Sequence, residues 1–197
     1  KIIKKFIDAG FYNFYISTFY KSHVIKKYFQ NGADWDVSIK YIEESKPLGT
    51  AGALSLIDQS ILSSPFFVIN GDILTEIDFN KLIQFHDKKN CNATVCVREF
   101  DFEVPYGVVK SDDFLVKEIV EKPVHKFLVN AGIYVLDPKV ISMVPKDLKI
   151  DMPELLGKLI SENKNVSMFP LHEYWIDIGQ IGQLNKAQYD IEQSHNE

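Results

Sequence analysis

The chain has 197 residues, 46% of them hydrophobic and 25% charged, which suits one globular core and leaves little length for a second domain. Its net charge is -5 with basic and acidic residues interspersed, so no electrostatic footprint for nucleic acid is present. No apolar stretch approaches the roughly 20 residues that span a bilayer, and no signal peptide is visible, so the expected address is cytoplasmic and no membrane partner is expected.

Lys1 to Ala9 places Ile2, Ile3, Phe6 and Ile7 at helical spacing and stops at Gly10. Phe11 to Thr18 reads as a strand, Lys21 to Gln30 as an amphipathic helix and Val37 to Glu43 as a second strand. A helix over 50–61 and an apolar strand over 66–70 continue an alternation that implies right-handed crossovers and a mostly parallel sheet. Asp78 is a plausible N-cap for a helix running to Lys88. Ala93 to Arg98, Tyr106 to Lys110, Phe114 to Glu121 and Val129 to Leu136 are β-rich and predict a mixed extension of the sheet. The odd spacing of Cys91 and Cys96 sends their side chains to opposite faces of a strand, which predicts reduced, buried thiols rather than a disulfide. Asp151-Met152-Pro153-Glu154 opens a helix to Ile160, with the proline in the first turn, where a missing N–H costs nothing. Val166 to Leu171 is a last strand and Gln180 to Gln193 a closing helix.

Two segments carry candidate chemistry. Pro47-Leu48-Gly49-Thr50-Ala51-Gly52 is a small-residue loop ahead of a helix, where Gly49 and Gly52 would let backbone approach a base or a phosphate. Thr50 is placed to cap that helix, leaving N–H groups and a positive dipole end for an anion or a polar base edge. A glycine turn that merely caps a helix has the same pattern. Phe66-Phe67-Val68-Ile69 then runs into Asn70-Gly71-Asp72, which sets Asp72 beyond the carboxyl end of a strand, where ligands bind in open α/β sheets. Asn70-Gly71-Asp72 also reads as a simple turn. The five histidines show no zinc-ligand spacing. Trp175 and Tyr134 lie among apolar neighbours and read as core.

These segments, together with Val104-Pro105-Tyr106-Gly107-Val108-Val109, Glu121-Lys122-Pro123, Asn130-Ala131-Gly132-Ile133-Tyr134-Val135 and Trp175-Ile176-Asp177-Ile178-Gly179, resemble the sugar-phosphate nucleotidyltransferase family in content and order over essentially the whole chain. The resemblance implies a Rossmann-like three-layer α/β sandwich with a mostly parallel mixed central sheet. It implies attack by a sugar 1-phosphate on the α-phosphorus of a nucleoside triphosphate, with release of pyrophosphate. Asp72 and Asp177 are then the expected Mg2+ ligands and catalytic pair, with Asp177 alternatively an N-cap for the closing helix. Lys122 is expected to contact the sugar phosphate, Glu121 the sugar hydroxyls, and Pro123 to hold Lys122 extended. Read bare, Glu121-Lys122 is a solvated edge. Gly107 and Asn130 are assigned to the sugar, and Pro47, Leu48, Gly49, Thr50, Gly52 and Gly71 to the nucleotide.

The loop most resembles guanylyltransferases acting on mannose 1-phosphate, which implies GTP. Asp151-Met152-Pro153 and the segment around Asp177 look like a bacterial subgroup with regulatory tandem domains ahead of the catalytic one. Homo-oligomers occur among such enzymes. The family's first strand and glycine-rich signature loop have no counterpart in residues 1–197, so the expectation is an N-terminally incomplete catalytic domain, at best weakly active, with a sheet edge or gap needing cover. A non-catalytic sugar-nucleotide-binding regulatory protein, or a uridylyl, cytidylyl or thymidylyl transferase of the same fold, are the alternative expectations.

Overall fold

The structure is a computed structural model that describes residues 1–179 and Gln183. The closing helix expected over 180–193 lies outside the described residues. Helix α1 (Ile2–Asp8) is followed by β1 (Asn13–Thr18), α2 (Ser22–Phe29) and β2 (Ser38–Glu43). β1 and β2 pair in parallel through all six residues, from Asn13 with Ser38 to Thr18 with Glu43, as the strand–helix–strand pattern requires. A second, four-stranded sheet is built from β3 (Phe66–Ile69), β8 (Val124–Leu136), β5 (Ala93–Glu103) and β9 (Val166–Pro170), in that order.

β8 is antiparallel to both of its neighbours while β5 and β9 are parallel, so three of the four strands share one direction and β8 alone is reversed. That is the expected mixed sheet. Alternate residues of β8 separate its two faces: Tyr134 and Leu136 pack with Met152, Leu155, Leu156 and Leu159 of α5 (Met152–Ser161), whereas Ile133 and Val135 pack with Phe6 of α1 and with Phe79 and Leu82 of α4 (Phe79–Lys89). Helices on both faces make three layers. Phe6 and Phe79 stack at 3.8 Å between centroids, and Phe67 meets both edge-on, at 5.3 Å in each case.

Among the described residues, β1 and β3 each pair along one edge only, and aromatic contacts such as Phe11 on Phe67 at 5.1 Å bridge the two sheets instead of a ladder. All four residues of β3 are consequently half-buried rather than enclosed.

The helix expected over 50–61 is a single α turn, α3 (Gly49–Gly52), followed by separate 3₁₀ turns at Ala53–Leu56 and Gln59–Ile61. Side chains that bond their own backbone break it up. Ser55 Oγ donates to the Gly52 carbonyl at 2.7 Å, and Asp58 accepts the Ser60 amide at 2.9 Å. By contrast Asp78 caps α4 as expected, taking the Lys81 amide at 3.0 Å. β5 and β8 run further than expected, forming a long two-stranded ribbon that ends at Glu103 and Val124. Beyond it, β6 (Val108–Asp112) and β7 (Leu115–Val120) make a hairpin.

Both cysteines are free and buried, and burial pushes the Cys96 thiol up to about 12. His86 is 2% exposed, and its Nδ1 lies 2.9 Å from Thr94 Oγ1. Burial holds its imidazole below the ordinary 6.5, against the opposing pull of Asp87 and Asp137. On acidification the unfolded chain therefore takes the proton first. His86 makes its full contribution to stability above pH 6.5 and loses it as pH falls below that value toward the lowered folded pKa. Denaturant midpoints between pH 7.5 and 5 should fall more steeply for the wild type than for His86→Asn, which keeps a polar atom for Thr94. Parallel curves would exclude His86 as a source of acid sensitivity.

Candidate active site

The carboxyl end of β3 leads through Asn70 and Gly71 to Asp72, and β4 (Ile73–Thr75) follows at once, so Asp72 starts no helix. β4 pairs antiparallel with β10 (Trp175–Asp177), setting Asp177 opposite Ile73, and Ile178 donates its amide to the Asp72 carbonyl at 2.8 Å. Residues separated by more than a hundred positions are thereby adjacent. A Cβ built on Gly179 would sit 3.0 Å from Asp177 Oδ1 and 3.0 Å from Asp72 Oδ2, so both carboxylates face one point beside a residue that has no side chain. Asp177 Oδ1 accepts the Gly179 amide at 2.8 Å, and Asp72 is exposed with no side-chain donor among the described residues. Two acceptor-only groups with spare lone pairs suit a hard cation, which takes one or two carboxylates and completes its shell with phosphate oxygens.

Trp175 holds β10 in place. Its indole N–H donates to the Ala131 carbonyl at 2.8 Å, and Arg98 Nη1 donates to the carbonyls of Glu173 and Trp175 at 3.2 and 3.4 Å. The tryptophan is thus a brace for the strand that carries Asp177.

Asn130 reaches the same end of the sheet. The backbone amide of Asn70 donates to the Gly132 carbonyl at 3.0 Å, and the Asn130 side-chain oxygen accepts the Gly132 amide at 2.9 Å. Asn130 Nδ2 donates to the Tyr134 hydroxyl at 2.7 Å, and burial pushes that hydroxyl's pKa up. The Asn130 side-chain amide is oriented by the chain itself, with one donor and one lone pair still unspent. Gly71 is exposed and nothing stands within 4 Å of where its Cβ would be.

Gly107, Glu121 and Lys122 form a second group. Gly107 and Glu121 flank the first rung of the β6–β7 hairpin, and a Cβ on Gly107 would come within 3.0 Å of Glu121 Oε2. This group lies beyond the far end of the ribbon, whose run from Val124 to Asn130 extends about 20 Å along the strand. Among the described residues no hydrogen bond or ion pair joins it to Asp72 or Asp177. Lys122 is not extended, as a residue ahead of Pro123 is expected to be: its φ is +44°, in the left-handed region. Proline disfavours the right-handed helical region for its predecessor, and the tight connection from Val120 to Val124 is made through left-handed backbone instead. A bulky residue there is strained, and strain of this kind collects at working sites. Lys122 has no ion-pair partner among the described residues.

The small-residue loop departs most from its reading in sequence. Four of its amides are taken. Ala51 and Gly52 donate to the Ile150 carbonyl at 3.1 and 3.2 Å, Thr50 N donates to Asp151 Oδ1 at 2.9 Å, and the Leu48 amide is taken by Glu44 Oε2 at 2.8 Å. Thr50 does not cap the helix that follows it, because it lies inside α3. Nor do the glycines open a path for ligand: a Cβ on Gly49 would fall 2.6 Å from both Asp151 Oδ1 and the Ile150 carbonyl, and one on Gly52 2.8 Å from Leu48 Cβ. They let α3 press onto the segment before α5. Leu48 and Gly52 are buried, and Pro47 and Thr50 face outward. The loop is held by the chain's own acceptors through four of its amides. Asp151 is a candidate that sequence reasoning did not place in the site; its signals there are the start of a helix and the subgroup-like Asp151-Met152-Pro153.

Two carboxylates converging beyond a strand end of a mixed α/β sheet lie where open α/β domains bind their ligands. Residues 1–194 match the family described as nucleotidyl transferase. The chain belongs to that family. It is 33% identical over 190 residues to mannose-1-phosphate guanyltransferase 2 of Candida glabrata, covering 90% of this chain and 51% of the relative. To the mannose-1-phosphate guanyltransferase of Kluyveromyces lactis it is 34% identical over 191 residues, again covering 90% and 51%. The chain thus spans about half the length of the curated relatives it matches. HddC from Yersinia pseudotuberculosis, solved as a complex with GMP-PN, superposes with a TM-score of 0.73 at 30% identity, over 96% of this chain and 83% of that one. Among the described residues no helix is long and apolar enough to cross a membrane.

Proposed function

We propose that the chain belongs to a catalytic domain that transfers a nucleotidyl group from GTP to a sugar 1-phosphate, giving a nucleotide-sugar and pyrophosphate. The observation that carries this reading is the convergence of Asp72 and Asp177 on Gly179. In-line displacement at phosphorus needs no covalent nucleophile; it needs alignment and neutralisation of crowded negative charge. Mg2+ held by Asp72 and Asp177 would supply that neutralisation.

The other roles belong to the chain. Pro47 to Gly52 form the wall against which the base rests, and Gly71 leaves room beside Asp72. Asn130, its amide already oriented by Gly132 and Tyr134, offers its remaining donor and acceptor to the sugar. For one sugar phosphate to meet both Asn130 and this pair, the outer ribbon must curl back over the sheet end; Lys122 then draws in the phosphate with a charge that no carboxylate among the described residues engages, and Glu121 accepts from sugar hydroxyls. Guanine is the base we favour because the named relatives are guanyltransferases and the solved neighbour was seen with GMP-PN. A cytoplasmic setting fits two free, buried cysteines.

The test is pyrophosphate release by the full-length protein from GTP, ATP, UTP, CTP and dTTP, with and without magnesium, in the presence of mannose 1-phosphate or glucose 1-phosphate. GTP with one of the sugar phosphates should dominate and should need the metal. Lys122→Ala should lower kcat/KM for the sugar phosphate by about 10²-fold while Lys122→Arg retains part of it. Nucleotide binding without turnover in the full-length protein would instead support a regulatory role.

A further inference from the structure

Asp151 precedes α5 and closes a capping box with Glu154, whose carboxylate accepts the Asp151 amide at 3.1 Å. Its own carboxylate also reaches away from that helix. Besides taking the Thr50 amide, Asp151 Oδ1 lies 3.4 Å from Thr50 Oγ1, and that hydroxyl accepts the Met152 amide at 2.8 Å. Each segment thus supplies a side-chain acceptor for a backbone donor at the start of the other's helix, across 101 positions of sequence. α3 is one turn long and Leu48 gives it no side-chain cap; Glu44 holds the Leu48 amide ahead of it, and its own amides are held from the segment before α5, by the Ile150 carbonyl and by Asp151. Within the exchange with Asp151 the bond from an amide to a carboxylate is the charge-assisted, stronger member. The Thr50 amide and one lone pair of its hydroxyl are spent on the start of α5.

We propose that Asp151 is a positioning residue for base recognition: it sets the Pro47–Gly52 wall in register with α5 without touching the nucleotide. This rests on reading that loop as the base wall. A misplaced wall weakens nucleotide binding and blurs the choice of base, while leaving the reacting phosphates to other residues.

The full-length protein is titrated calorimetrically with GTP and with UTP, and its kinetics with GTP and mannose 1-phosphate are measured in parallel. Asp151→Ala should weaken GTP by about 10-fold, equivalent to about 1.4 kcal/mol, and should narrow the preference for GTP over UTP. KM for GTP should rise in step while kcat stays within about 2-fold, the split expected of lost uniform binding. Asp151→Asn keeps an oxygen at the Oδ1 position and should restore GTP affinity. If Asp151→Ala does not fold, Asp151→Ser, which can still cap α5 but is one atom too short to hold the Thr50 amide as Oδ1 does, carries the same measurement with the same expectation. Wild-type affinity and preference in the folded variant would overturn the proposal alone. A wild type that binds no nucleoside triphosphate overturns the functional reading and this inference together.

Discussion

Asp72→Asn and Asp177→Asn should each reduce magnesium-dependent pyrophosphate release by about 10²- to 10³-fold or more, the scale on which removal of one charge-stabilising group acts. Asparagine keeps the size and one acceptor oxygen, so the Asp177→Asn side chain can still take the Gly179 amide that Asp177 Oδ1 now accepts at 2.8 Å. What it removes is charge at the point both carboxylates face. The double variant should be little worse than either single one, because two ligands of one ion act as a unit. Stability should move the other way. Two facing carboxylates repel in the absence of a cation, so each single variant should unfold at the same temperature as the wild type or slightly above it, the usual direction at a site built for activity. Near-normal turnover in either variant removes that aspartate from the site, and a large fall in melting temperature would show that the pair is structural.

Gly49→Ala should destabilise the fold by about 2–4 kcal/mol, a large share of a typical margin of roughly 5–15 kcal/mol. Its φ of +78° is left-handed, where a Cβ costs about 1–2 kcal/mol. The added atom would also lie 2.6 Å from the Ile150 carbonyl, which is backbone and bonded to Ala51 and Gly52, and cannot turn aside as a side chain does. Gly10→Ala is the control: φ there is +90° and nothing lies within 4 Å of the built Cβ, so it carries the dihedral cost without the clash. Urea midpoints should place Gly49→Ala well below Gly10→Ala. Equal midpoints would mean that the contact between α3 and the segment before α5 yields easily. Nucleotide affinity should fall with Gly49→Ala and not with Gly10→Ala.

Much of the architecture is legible in the sequence because local chemistry and global fold agree. The helical spacing of Ile2, Ile3 and Phe6, the N-cap at Asp78 and the proline after Asp151 each mark a helix that the structure contains. The continuous apolar run Ile133-Tyr134-Val135-Leu136 marks a strand buried on both faces. Apolar spacing over 50–61 overstates the helix there because it says nothing about Ser55 and Asp58 bonding their own backbone. The ribbon is longer than its pattern suggests because Phe100, Phe102 and Phe127 are about half exposed there, at 52%, 51% and 52%, and alternate with charges, so its outer part lacks the signature of a covered strand.

The sequence by itself determined which residue types are on hand: a carboxylate after an apolar strand, a second beside Ile178-Gly179, a lysine before a proline, and a loop of glycines. Spacing along a chain carries no information on which of these meet. Only the tertiary structure decided that, through long-range pairing: the β4–β10 ladder that sets Asp177 against Ile73, and the indole bond from Trp175 to Ala131 that braces it. It also decided what the loop packs against. Glycines that could have admitted a ligand admit Ile150 and Asp151 instead, because a neighbouring segment's acceptors reach the loop's amides before any phosphate could.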